Sequence, residues 1–213
     1  MIEAAKRYHQ ALPGSPADDY LASRGLLGAA SEGSPLLAAR LGYVADPPPG
    51  FEQYAGMLAI PYLRRTATGV WSVVSIRYRC ITPGCEHAYH GKYSTEAGDK
   101  PRLYNTIALT EAHDWIVLCE GEIDTLTALQ HGVPAVGVPG TESWQPHWAE
   151  PFRGYASVFV LADADDKGQG RDFAERVRKA LPNAHVRPAM PGYDLNSMVA
   201  DHGKAALLER IAA

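Results

Sequence analysis

The chain has 213 residues, 46% of them apolar and 21% charged, and a formal net charge of −4. That composition excludes a disordered or fibrous protein, and the length allows one full core or two small ones packed together. The longest apolar runs, "WIVLC" and "VFVLA", are far too short to span a bilayer. The N-terminal "MIEAAKRYHQ" has no secretory apolar region, and three cysteines make no disulfide framework. A cytoplasmic protein with no membrane partner is expected.

In chain order, "SPADDYLASRGL" opens on cap-type residues and spaces Tyr20, Leu21 and Arg24 as a helix does. The loop "DPPPG" at 46–50 can continue neither a helix nor a sheet ladder, and it closes this short region. From Met57 to Tyr78 the pattern is that of strands: "MLAIPYL", a turn at "TATG", then "VWSVVSIRYR". Residues 80–100 are polar and turn-rich and read as a long loop. From Trp115 short apolar strands alternate with helical stretches: "WIVLC", a helix over 123–131, "PAVGV", a helix near 144–151, "VFVLA", a helix over 171–180, "AHVRPAM" and terminal helices. The expectation is an α/β domain over 111–213, a Rossmann-like parallel sheet covered by helices on both faces, preceded by a small α+β subdomain over 1–110.

Charge is uneven along the chain. Residues 61–105 hold seven Lys/Arg against three acids, and residues 111–213 hold nine against fifteen. A basic segment beside an acidic one suits a phosphate-gripping surface next to a cation-binding one. The acids are also clustered: Glu120 and Glu122 follow "WIVLC", while Asp163, Asp165 and Asp166 follow "VFVLA". Ligands of open parallel sheets bind beyond the carboxyl ends of the strands. If the two strands are neighbours, both acid sets share one crevice. Carboxylates within a few ångströms repel by roughly 4 kcal/mol per pair near a protein surface. A hard divalent cation relieves that repulsion, and all-oxygen ligation favours Mg2+ or Mn2+.

The segments "CEGEIDTLTAL", "VPGTE", "VLADADDKG" and "GYDLNSM" resemble, in the same order, the motifs of the Toprim domain shared by DnaG-type primases, type IA and II topoisomerases and some nucleases. By that resemblance Glu120 is the acid/base glutamate, Asp163 and Asp165 are the metal-binding pair, and Asp124 is the acid in the following helix. Gly140 and Thr141 match the small-residue turn after the second strand. Asp194 matches the first acid of the last primase motif, and Asn196 stands where a second aspartate is usual; the resemblance implies that Glu120, Asp124 and Asp194 join Asp163 and Asp165 as metal ligands. "DDYLASRGL", "RLGYV", "GMLAIPYLRRTATGVWSVVSIRYR" and "KPRLYN" look like the basic subdomain that precedes Toprim in DnaG-type primases. The resemblance thus implies a small phage-like primase catalytic core that makes short RNA primers from ribonucleoside triphosphates on single-stranded DNA.

In this reading Arg77, Arg79, Lys100 and Arg102 hold template backbone or triphosphate, and Tyr104 and Asn105 stack on or hydrogen-bond a base. Expected partners are the DNA template, the nucleotides and a replicative helicase or separate template-recognition module, because neither the family's zinc ribbon nor its helicase-contact bundle is recognisable. A metal-dependent Toprim nuclease and a non-catalytic single-strand-binding subunit are the rival readings. Cys80, Cys85, His87 and His90 fall within eleven residues. They could form a tetrahedral Zn2+ site, but the spacing is not a paired CxxC pattern and one loop would have to wrap the ion alone, so a polar loop is the expectation there.

Overall fold

The computed structural model describes residues 1–164 and 168–212, which form two compact units, Met1–Lys100 and Pro101–Ala213. In the first unit Ser15 caps α2 (Pro16–Ser23): its Oγ accepts the Asp18 N–H at 3.3 Å, and Pro16 supplies the fixed φ that suits a first helical residue. The strands β1 (Gly42–Tyr43), β2 (Leu58–Arg65), β3 (Trp71–Arg79) and β4 (Tyr93–Ser94) form an antiparallel sheet in that order. The β2–β3 hairpin follows the expected strand pattern, with a register shift between Tyr62 and Leu63.

One helix in this unit lies outside the sequence expectation: α1 (Ile2–Gln10) buries Ala5 and Tyr8. The Tyr8 ring meets Tyr78 edge-on at 6.5 Å, and Tyr78 stacks on Tyr54 at 3.9 Å. This aromatic cluster, with Val44, Met57, Ala59 and Ile76, forms the core between helix and sheet. Gly42 lets the helix come close, since a Cβ there would lie 2.6 Å from the Tyr8 carbonyl carbon. The segment expected to be one long loop is interrupted by β4, which pairs with the end of β3 through Tyr78–Ser94 and Arg79–Tyr93.

The second unit is the α/β domain that the alternating pattern indicates. Its elements are β5 (Trp115–Cys119), α3 (Glu122–Gln130), β6 (Ala135–Gly137), β7 (Ser157–Leu161), α4 (Gln169–Ala180), β8 (Ala184–Val186) and α5 (Leu195–Ala212). All four strands are parallel, in the order β6-β5-β7-β8. Successive residues of β5 serve opposite faces, as strand geometry requires. Ile116 and Leu118 pack with Phe173 and Val177 of α4, whereas Val117 and Cys119 pack with Ala128 of α3 and Met198 and Leu207 of α5. Each fully buried large side chain contributes about 1.5–3 kcal/mol, so a short, wholly apolar strand suffices when both faces are covered.

Two expectations are refined here. The helix near 144–151 is a 3-10 segment, Pro146–Phe152, interrupted by Pro151, which has no N–H for an α-helical bond. "AHVRPAM" is regular strand only to Val186. Pro188 takes one donor out of the ladder, while Arg187 and Ala189 still donate to Val160 and Ala162 at 2.8 and 2.9 Å. The terminal helical stretch breaks at Gly203, with φ 75° and ψ −180°. No helix among the described residues is long and apolar enough to cross a membrane.

Candidate active site

Topology decides where the acids meet. From β5 the chain passes through α3 to β6 on one side, then crosses back to β7 on the other, so β5 lies between them. This reversal creates a crevice beyond the carboxyl ends of β5 and β7. Cys119 is paired with Leu161, so Glu120 and Asp163 leave neighbouring strands at nearly the same level. Glu120 Oε1 accepts the backbone N–H of Asp163 at 2.8 Å, and Glu120 is only 8% exposed. The two apolar runs that end in acid therefore end at one place.

Asp124 belongs to the same neighbourhood. It lies in the first turn of α3, nearly buried, and its Oδ1 accepts the Asn196 N–H at 3.1 Å. The Cys119 thiol reports the convergence electrostatically. Burial pushes its pKa well above the ordinary thiol value, and the carboxylates of Asp124, Asp163 and Glu120 push it the same way, against a hydrogen bond with Thr125. Three carboxylates thus act on one buried sulfur. Asp165, the second expected member of the metal-binding pair, lies outside the described residues, as does Asp166.

Glycines permit this close approach, and sequence reasoning assigned only one of them. A Cβ on Gly170, in the first turn of α4, would lie 2.5 Å from Glu120 Oε1 and closer still to the Asp163 carbonyl oxygen. Gly137 stands against Thr125, whose Oγ1 donates to the Gly121 carbonyl at 2.7 Å and ties the start of α3 together. Gly140, expected as a small-residue turn, has φ 98°, a conformation that favours glycine, and its N–H donates to the Glu120 carbonyl at 3.2 Å. Thr141 follows it, and its carbonyl accepts from Arg176 Nη2 at 3.0 Å; Arg176 also pairs with Glu142 at 3.1 Å, fastening this turn to α4. The only sequence signal for Gly170 was the "GQG" before a helical pattern, which reads equally as an ordinary loop.

Other expected site residues take structural positions. Tyr104 is 3% exposed, and its backbone exchanges hydrogen bonds with Gly137 at 2.8 and 3.1 Å. It extends the sheet beyond β6 and offers no open face for a base, which corrects the stacking expectation. Burial raises its hydroxyl pKa, with Glu122 acting in the same sense. Asn105 adopts the left-handed conformation (φ 54°) and donates its amide to the Ala135 carbonyl at 2.8 Å, so it too anchors this edge. Apolar residues cannot be told from stacking platforms by spacing alone, and "RLYN" gave no sign that it would pair with β6.

Asp194, immediately before α5, accepts the Ser197 N–H and hydroxyl through Oδ1, both at 2.6 Å, and acts as a helix cap. Asn196 is 2% exposed, and its amide donates to Thr127 Oγ1 at 2.9 Å. Thr127 passes the chain on to the Ile123 carbonyl at 2.9 Å. Asn196 therefore joins the start of α5 to α3.

Among the basic candidates, Arg79 is 7% exposed, with its guanidinium between the rings of Tyr20 and Tyr93 at 5.3 and 4.8 Å, and Nη1 donates to the Tyr93 hydroxyl. It is a packing residue of the first unit, not an open phosphate hook. Arg77 lies 4.4 Å from the centre of the same Tyr93 ring and is partly exposed. Lys100 is exposed and Arg102 partly so. In the first unit, ligand atoms of Cys80, Cys85, His87 and His90 all come within 4.8 Å of one another.

Comparison with known proteins agrees with this fold. The model of the Toprim-like family Toprim_2 matches residues 117–199. The gene 57 protein of Mycobacterium phage D29 is 51% identical over 158 residues, 74% of this chain and 99% of that protein. The RNA polymerase domain of Mycobacterium tuberculosis primase DnaG superposes with a TM-score of 0.72 at 22% identity, over 99% of this chain and 81% of that one. A DnaG primase catalytic domain bound to single-stranded DNA superposes equally well, TM-score 0.72, at 20% identity over 99% of this chain and 78% of that one. The chain belongs to the family of the phage D29 gene 57 protein, and it carries a Toprim-like domain within the fold of DnaG primase catalytic cores.

Proposed function

We propose that this chain is a primase catalytic core, which joins ribonucleotides into short RNA primers on single-stranded DNA. The observation that carries the proposal is the convergence of Glu120, Asp163 and Asp124 at the switch point of the parallel sheet. The DnaG-core fold supports it, as does a neighbour described with single-stranded DNA bound.

The donor set suits a hard divalent cation by its chemistry: it consists of carboxylates carried to the same end of neighbouring parallel strands. Glu120, Asp163 and, outside the described residues, Asp165 would hold Mg2+ or Mn2+. When bound, such an ion stabilises charge on the phosphate and leaving oxygens and makes a ribose 3′-hydroxyl more acidic. The chain's own residues do the rest. The bond from Asp163 N–H restrains one oxygen, Oε1, of the Glu120 carboxylate. Held there, Glu120 is placed to take the proton of the attacking hydroxyl. Asp124 is held by the Asn196 N–H and adds negative charge behind it. Arg77, Lys100 and Arg102 are proposed to neutralise triphosphate or template phosphate.

The discriminating experiment incubates the protein with single-stranded DNA, labelled ribonucleoside triphosphates and Mg2+ or Mn2+. Short labelled RNA products establish priming. Fragmented DNA with no labelled RNA would instead establish a nuclease, and DNA retention without either product a binding subunit. A replicative helicase or separate recognition module is the proposed partner for delivering the template.

A further inference from the structure

The loop between β3 and β4 contains a group of residues that the proposed activity does not use. Cys80, Cys85, His87 and His90 bring four ligand atoms within 4.8 Å of one another. Cys85 Sγ and His90 Nε2 are 3.6 Å apart, and the two imidazole rings meet edge-on at 5.4 Å. Around a tetrahedral ion with metal–sulfur and metal–nitrogen bonds of about 2.3 and 2.0 Å, neighbouring donors stand roughly 3.3–3.8 Å apart. The Cys85–His90 separation already has that value, and the widest needs to close by about 1 Å.

Two independent features point to an ion. The ring nitrogen His87 Nδ1 is buried and, among the described residues, has no hydrogen-bond partner, a costly state for a polar atom that a metal bond would relieve. Meanwhile His90 Nδ1 faces the Gly91 carbonyl at 3.0 Å, the contact that orients a ligating imidazole through its other nitrogen.

The loop has little else to hold it. No residue from Cys80 to Tyr93 is buried, and Tyr89 is fully exposed. Its ends are tied by the Cys80 N–H to the Lys92 carbonyl at 3.0 Å and by the β3–β4 pairs. Between those ties a segment without a core keeps a defined path only if something inside it binds the chain together.

We propose that Cys80, Cys85, His87 and His90 form a closed, structural Zn2+ site that clamps the β3–β4 loop. Two thiolates and two imidazoles match zinc, whereas Mg2+ and Mn2+ prefer the oxygen donors of the acidic site. Binding releases the thiol protons to solvent as the Zn–S bonds form. The closed donor set leaves no position for substrate, so the ion orders the loop and takes no part in the chemistry.

The test uses the full chain in reducing buffer. Protein purified without chelator is expected to carry about one zinc per chain. After chelator stripping, Co2+ titration is expected to give the visible bands of a tetrahedral centre and thiolate-to-cobalt charge transfer, saturating near one equivalent and bleached by added Zn2+. Cys85→Ser and His90→Ala are each expected to weaken binding by on the order of 100-fold or more, while His113→Ala leaves it unchanged. Should either loop variant fail to fold, stripped and zinc-loaded wild-type protein still decide the matter: zinc is expected to slow tryptic cleavage after Lys92 several-fold. A wild-type cobalt spectrum without thiolate charge transfer, or one unaltered by Cys85→Ser and His90→Ala, would overturn the proposal.

Discussion

Glu120 Oε1 accepts the backbone N–H of Asp163 at 2.8 Å, a hydrogen bond that joins positions 43 apart in the chain and locks the ends of β5 and β7 together. The bond has a structural and a chemical part, and two substitutions separate them. Glu120→Gln keeps a carbonyl oxygen for the Asp163 N–H, so its stability should stay within about 1 kcal/mol of wild type, while divalent-dependent activity is lost. Glu120→Ala removes the acceptor from a part-buried donor and should cost about 1–3 kcal/mol as well as the activity. Urea denaturation of both variants beside the activity assay checks the pair. Equal destabilisation by the two would show that the hydrogen bond contributes nothing.

Gly170→Ala offers a test of sign. In an ordinary helix this exchange stabilises by up to about 1 kcal/mol. Here the new methyl would enter space occupied by Glu120 Oε1, at 2.5 Å, and by the Asp163 backbone. Overpacking of that kind costs about 1–3 kcal/mol, so the clash outweighs the propensity. A lowered melting temperature together with reduced activity is expected, and a raised melting temperature would show that α4 does not press on the site as described.

The chain Asn196–Thr127–Ile123 predicts coupling between α5 and α3. Asn196→Ala and Thr127→Val should each destabilise by about 1–3 kcal/mol by leaving a buried polar group without its partner. The double variant should fall short of the sum by about 0.5 kcal/mol or more, the mark of a direct interaction. Strict additivity in a double-mutant cycle would refute the contact.

His131, just beyond α3, provides a pH dependence. Burial, and behind it the ammonium of Lys204, hold its imidazole below the ordinary value of 6.5. The unfolded chain therefore binds a proton at a higher pH than the folded chain does. This group's contribution is complete above pH 6.5 and is lost as the pH falls from there toward the lower folded pKa. His131→Gln should flatten the decline in stability between about pH 7 and 5 without moving the plateau above it. An unchanged slope in melting temperature against pH would contradict the assignment.

What the sequence disclosed depended on whether local pattern carried the information. "WIVLC" and "VFVLA" announce buried parallel strands because both faces are covered and every residue is apolar. The acids at their ends suggest a site because clustered carboxylates repel one another and a cation relieves the repulsion. Helix α1 was missed because only Ala5 and Tyr8 mark its inner face, and two residues make a weak periodicity. Tyr104 and Arg79 were misassigned for a different reason. Their roles are set by partners distant in the chain, Gly137 for one and Tyr20 for the other, and residue type gives no hint of such pairing. Gly170 was silent because what matters about it is the absence of a side chain opposite a carboxylate placed there by topology.

The most direct test of the central claim compares wild type with Asp163→Asn in Mg2+-dependent synthesis of labelled RNA on single-stranded DNA, alongside thermal melts without metal. The account predicts loss of product by on the order of 100-fold or more, while the melts show that the variant is folded. Undiminished RNA synthesis by Asp163→Asn at the same Mg2+ concentration would contradict it.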